Sequence, residues 1–128
     1  VDIRSISAEA KKRVVRLVQA QIREIARHRN IGAEILPLRE EEPVPLDQRL
    51  VRLLKECCED RNIPYEVMPS GAGHDAMQIA KIAAAGMLFI PSRRGISHSP
   101  LEWSEPEDIC LGGQLLLDSM IRVANEAI

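Results

Sequence analysis

Six residues, Glu40-Glu41-Glu42-Pro43-Val44-Pro45, constrain this chain more than any other stretch. Two prolines one residue apart remove two backbone donors, fix φ at both positions and push the residue before each away from the helical region. Neither a helix nor a strand continues through them, so an extended connection joins a shorter opening arm to a longer remainder. That connection reads as a crossing between domains, or as a polar loop inside one.

The opening arm has the pattern strand, long helix, strand. Val1 to Ser5 reads as the end of a strand, with Asp2 and Arg4 on one face and Val1 and Ile3 on the other. Ser7 is placed to cap a helix from about Ala8 to His28. In that helix Val14, Val18, Ile22 and Ile25 repeat at helical spacing, widened by Val15 and Leu17. Lys11, Lys12, Arg16 and Arg23 fall on its solvated side. Asn30 and Gly32 punctuate its end, and Ala33 to Leu38 reads as a second strand.

Past the prolines the order is helix, strand, helix, strand, helix, an α/β pattern. Asp47 caps a helix to about Asp60 that buries Leu50, Val51, Leu53, Leu54, Cys57 and Cys58. Tyr65 to Met68 is a short strand, and Ala72 to Ala83 is a helix. Met87-Leu88-Phe89-Ile90 is apolar at every position, as expected of a strand covered on both faces. Ser104-Glu105-Pro106-Glu107 reads as a capping box opening a last helix. Its apolar stripe is Ile109, Gly112, Leu116, Met120, Val123 and Ala127, with Gly112 allowing a close neighbour.

Composition excludes several classes of function. A formal net charge of -2 and 2% aromatic residues leave no basic footprint and no stacking surface for nucleic acid. No apolar run approaches the roughly 20 residues of a membrane span, and no signal-peptide pattern is present. The chain begins at Val1 without a methionine, which leaves room for an upstream portion. Three cysteines, two of them adjacent on a helix, do not make a disulfide framework and point to a reducing, cytoplasmic setting.

Two turns between Ser70 and Pro100 concentrate the chemistry. His74 follows Gly71-Ala72-Gly73 at a strand-to-helix turn, where the backbone approaches a ligand closely and free amides favour an anionic oxygen; it is equally a histidine that caps or packs a tight turn. His98 lies in Gly95-Ile96-Ser97-His98-Ser99-Pro100, just past the apolar strand, where open α/β sheets bind ligands. It is a natural metal ligand with Glu102 near enough to orient it, or a loop histidine in solvent. One histidine does not hold a catalytic zinc, which takes three protein ligands as a rule. His28, among Arg27 and Arg29, reads as an exposed last-turn residue. Arg4 offers a planar fork for a carboxylate, or is a surface charge paired with Asp2.

Four stretches in the same order resemble one family: Asp2-Ile3-Arg4, Glu42-Pro43-Val44-Pro45, Ser70 to Ala76, and the run from Pro91-Ser92 through Gly95-Ile96-Ser97-His98 to Pro100 and Glu102. It is the amidase/hydantoinase/carbamoylase branch of the M20 metallopeptidases, which holds N-carbamoyl-L-amino-acid hydrolases, allantoate amidohydrolases and β-ureidopropionases. The resemblance covers the whole chain but only the C-terminal portion of such enzymes. It implies that residues 1–40 are the second half of a ferredoxin-like dimerisation (lid) domain. Residues 41–128 then form the C-terminal part of a zinc-peptidase-like α/β catalytic domain. By the same likeness His98 looks like the last ligand of a site for two divalent metal ions, zinc or manganese. Arg4 looks like the grip on a substrate carboxylate, and Gly73 and His74 look like part of the substrate loop.

The resemblance further implies a homodimer and hydrolysis of a carbamoyl or ureido C–N bond of a small molecule. The general-base glutamate and the other ligands are expected upstream, so no catalytic residue is assigned in this chain, and alone it is expected to hold no metal and to be inactive. Trp103-Ser104 departs from the Glu-x-Thr usual after the last histidine, and Arg93 and Arg94 fill variable positions. Two alternatives stand beside this reading. One is an M20-type aminoacylase or peptidase, against which the Ser70 to Asp75 loop speaks; the other is a non-catalytic dimerisation fragment.

Overall fold

Helices carry all the regular structure among residues 1–125, the part of the chain described by this computed structural model. They are α1 (Ala8–His28), α2 (Gln48–Asp60), the single turn α3 (Ala76–Ile79), a short 3-10 turn (Arg93–Gly95) and α4 (Pro106–Asn125). The described backbone divides into two compact units, Val1–Pro45 with Pro69–Gly73, and Leu46–Met68 with residues 74–125.

Two of the helix starts read from sequence, at Ser7 and Asp47, are formed by the residues expected. Ser7 is extended and its hydroxyl accepts the Ala10 N–H at 3.2 Å, while Asp47 accepts the Arg49 N–H at 2.8 Å. Both helices end in the same tripeptide, Arg29-Asn30-Ile31 and Arg61-Asn62-Ile63. Each asparagine takes the left-handed conformation, at φ 50° and 55°. The isoleucine N–H then reaches back to Ala26 O at 3.0 Å, or to Cys58 O at 2.9 Å, closing the paired end-bonds of a Schellman motif.

In the first unit α1 buries only Ala26. Val14, Leu17 and Ile25 of its expected stripe remain exposed, and Val15, Val18 and Ile22 are half-buried. The acidic run folds back on this helix, with Lys12 paired to Glu42 at 2.7 Å and the Lys11 ammonium on the Glu41 carbonyl. Part of the basic face is thus engaged rather than solvated.

In the second unit α2 packs on α4. Its core is Leu53, Cys57, Cys58 and Leu115, with Ile63 and Leu88 against it. Burial pushes both thiols up from their ordinary range. Arg61 pairs with Asp118 and Arg122 with Asp60 at the rim of the same contact. Gly112 permits the close approach expected of it, because a Cβ there would lie 2.5 Å from Ile90 Cγ2.

Several expectations are not met. No strand forms among the described residues, so the α/β class and the ferredoxin-like half-domain are not shown there. An extended segment becomes a strand only through a ladder with a partner, and Val1–Ser5, Ala33–Leu38, Tyr65–Met68 and Met87–Ile90 make none. Pro37 also removes a donor from the second of these. Nor is the apolar run covered on both faces, since Phe89 is 50% exposed.

The helix expected over Ala72 to Ala83 shrinks to α3. The Ala72 N–H is taken by the Ser70 hydroxyl at 3.2 Å, and beyond Ile79 the bonds from Lys81 and Ile82 shorten to three-residue steps. On α4 the buried positions are Leu115 and Ser119, whereas Leu116 and Met120 are 52% and 62% exposed. That helix is apolar on adjoining faces, so spacing alone picked the wrong one; Ala127 lies outside the described residues. Finally, Glu105 occupies the position before Pro106, one residue later than the capping box requires. The Ser104 hydroxyl instead donates to Pro91 O at 2.8 Å.

Candidate functional site

Arg4 sits in extended chain just before α1, and its guanidinium is fully engaged on one side. Nε and Nη2 donate to one Asp2 oxygen at 2.9 and 2.6 Å, while Nη1 donates to the Gly71 carbonyl at 2.7 Å. The Arg4 guanidinium holds the Asp2 carboxyl below the usual carboxylate range, and Asp2 in turn raises Arg4. A guanidinium carries five N–H groups, so both Nη atoms keep a donor for a further acceptor. Within its unit the side chain thus joins the start of the chain to the glycine-rich turn, which is 67 residues away in sequence.

That turn is shaped by Ser70, whose hydroxyl accepts from Ala72 N. Gly71 has no atom within 4 Å of where a Cβ would stand, so the space beside the backbone is open. Gly73 ends the segment of this unit, and His74 begins the next segment of the second one. The His74 ring is half-buried and meets Phe89 edge to face, with centroids 5.5 Å apart. Of the amides at this helix start, those of Met77, Gln78 and Ile79 are taken by the carbonyls of His74 and Asp75.

His98 occupies a different setting. Its residue is exposed and left-handed, at φ 55°, a region that side chains other than glycine rarely enter. Glu102, expected to orient the imidazole, instead accepts the backbone N–H of His98 at 2.9 Å. Glu102 N–H donates to Ser99 O at 2.9 Å and Leu101 N–H to the Ser99 hydroxyl at 3.2 Å, which closes the turn.

Around this turn lies a second ring of contacts that sequence reasoning missed. Arg93 N–H donates to Trp103 O at 2.7 Å, and the Arg93 guanidinium lies over the Trp103 ring at 5.7 Å. The same guanidinium bonds Glu105 at 2.7 Å, as does the Trp103 indole N–H at 3.3 Å, on the other oxygen. These bonds hold the Glu105 carboxyl low. The departure of Trp103 from the expected pattern therefore comes with a partner, Arg93, and the two brace the loop. Arg94 is exposed at φ 59° beside Gly95 at φ 67°, a tight reversal rather than a contact.

Among the described residues no three His, Cys, Asp or Glu side chains converge as metal ligands would. An imidazole on a braced loop fits one position of such a site, and the described residues do not complete it. His28 is exposed, 3.9 Å from Glu24. No described helix is long and apolar enough to cross a membrane.

The comparisons with known proteins agree with one another. The model of Peptidase family M20/M25/M40 matches residues 5–122. N-carbamoyl-L-amino-acid amidohydrolase of Pseudomonas sp. (strain NS671) is 36% identical over 122 residues, covering 95% of this chain and 30% of the relative. Allantoate amidohydrolase of Escherichia coli (strain K12) is 36% identical over 124 residues, covering 97% of this chain and 30% of the relative. A crystal structure from Burkholderia cenocepacia, provisionally assigned as an amidohydrolase/peptidase, superposes with a TM-score of 0.82 at 28% identity, over 95% of this chain and 30% of its own. The chain spans about 30% of the length of these relatives.

Proposed function

Since the chain belongs to Peptidase family M20/M25/M40, we propose that it is part of a metal-dependent amidohydrolase that cleaves the carbamoyl or ureido C–N bond of an N-carbamoyl-L-amino acid or a related ureido acid. The relatives matched over nearly the whole chain support the substrate class. The observation that carries the site is the bond from Arg4 to Gly71 O, which joins a carboxylate-binding side chain to the turn that leads into Gly73 and His74.

In this reading Arg4 receives the substrate carboxylate on the donors that Asp2 and Gly71 leave open. Gly73 and His74 line the face toward the scissile group, where the absence of a Cβ lets substrate lie against the backbone. His98 supplies one imidazole to a divalent metal ion, zinc or manganese. Such an ion, when bound, supplies a Lewis acid at the carbonyl and a water of lowered pKa. The remaining ligands and the general-base glutamate are assigned to a part of the site that this chain does not contribute. Residues 1–40 are assigned to a dimerising lid domain and residues 41–128 to the catalytic domain of a cytoplasmic homodimer.

Two measurements on the protein that contains this chain and the rest of the site test the reading. His98→Ala is expected to lower bound metal and abolish turnover, and unchanged metal stoichiometry removes His98 from the site. A panel pairing N-carbamoyl with N-acetyl amino acids is expected to show turnover of the carbamoyl series, and preference for the acetyl series overturns the substrate class.

A further inference from the structure

Left-handed backbone at a residue with a full side chain costs free energy and persists only where the surroundings enforce it. At His98 the enforcing group is identifiable. Glu102 places its carboxylate on the His98 N–H, and the turn that brings it there is closed by the two bonds to Ser99. The bonds of Arg93, Trp103, Glu105 and Ser104 fix both flanks of the same loop. Because χ1 preferences follow φ and ψ, the conformation imposed on the His98 backbone also selects where its ring projects.

We infer that Glu102 is a positioning residue for His98. It acts through the backbone rather than the ring, by locking His98 into the left-handed conformation from which the imidazole projects as a ligand. This deepens the site reading above and rests on His98 being a metal ligand. A carboxylate bonded to a ligand's own ring tunes its basicity. A carboxylate bonded to its main-chain N–H sets geometry alone and leaves both ring nitrogens for other partners. The acceptor needs reach more than charge, so glutamine suits the position and aspartate, one methylene shorter, does not.

The test uses the complete protein, loaded with Co(II) as the probe and followed by its visible absorption. Glu102→Ala and Glu102→Asp are expected to weaken Co(II) binding by roughly tenfold or more, the range found for residues that orient ligands, and to alter the d–d bands. Glu102→Gln is expected to keep wild-type affinity and bands. Hydrogen exchange at the His98 amide is expected to speed up in the alanine and aspartate variants and to stay slow in the glutamine variant. Wild-type Co(II) affinity in Glu102→Ala or Glu102→Asp overturns the inference, as does failure of Glu102→Gln to rescue. His98→Ala separates the two levels. If it abolishes Co(II) binding while Glu102→Ala and Glu102→Asp keep wild-type affinity, the ligand stands and the positioning role falls. If it too binds Co(II) normally, both fall.

Discussion

The two histidine turns of this chain are held by opposite means. The turn of His98 is braced almost entirely from within residues 91–105, by a carboxylate on its backbone and an arginine stacked on a tryptophan. In the turn from Ser70 to Gly73 the Ser70 hydroxyl accepts the Ala72 N–H at 3.2 Å and donates to Ala72 O at 3.4 Å, and the guanidinium of Arg4 ties the turn to distant chain. A loop whose bonds are short in sequence keeps its shape wherever the local sequence is intact. A loop tied to a long-range donor responds to whatever that donor binds. The first suits a group that must stay fixed, such as a ligand to an ion; the second suits a surface that rearranges around substrate.

The comparison is broken most strongly at Gly112. A Cβ there meets Ile90 Cγ2, a short branch on a stiff side chain at the entry to the His98 loop. Gly112→Ala therefore gains the helix propensity of alanine but forces Ile90 aside. The expected net effect is a loss of about 1–3 kcal/mol, as for overpacked cores, read as a fall in denaturant midpoint. Amides in residues 91–105 are expected to exchange faster while those of residues 70–73 do not change. Equal acceleration in both loops dissolves the distinction between them.

A smaller effect comes from the other side. Arg4→Lys keeps the charge but loses the planar fork that bonds Asp2 and Gly71 together. The amides of residues 70–73 are expected to exchange a few-fold faster, with residues 91–105 and the melting temperature unmoved. No change at residues 70–73 shows that Ser70 alone holds the turn.

What sequence made legible follows the same division between near and far. Ser7 and Asp47 were readable as caps because each acts on an N–H two or three residues on. The pairing of Arg4 with Asp2 was readable for the same reason, and its bond to Gly71 was not. The four extended segments carried strand patterns, but pattern states only what a segment can do when an edge is offered, and no described segment offers one. On α4 the periodicity fits more than one face, so the choice of Leu115 over Leu116 rests on what α2 presents. His98 was legible as a residue and illegible as a conformation. Histidine enters positive φ more readily than most residues, but Ser97-His98-Ser99 alone does not select it, and Glu102 enforces it from four residues downstream. The Arg-Asn-Ile repeat at the ends of α1 and α2 is the one conformational signal that was present in the sequence and went unread at Asn62.

The smallest expected effect uses acid and the chain's one tryptophan. Glu105 is held below its ordinary value of 4.5 first by Arg93 and then by the Trp103 indole. A carboxyl lowered by folding stabilises the folded loop above its unfolded value, and that contribution is lost as pH falls through the lowered one. Trp103 emission is therefore expected to change in acid, at a pH below 4.5. Arg93→Ala removes the leading cause of the depression and is expected to move the change upward toward 4.5. Arg4→Lys releases Asp2, the depressed carboxyl of the other loop, and is expected to leave the Trp103 transition where it was. A tryptophan transition that moves with Arg4 as well as with Arg93 means the two turns respond to acid as one, and the contrast between a self-braced and a tethered loop fails.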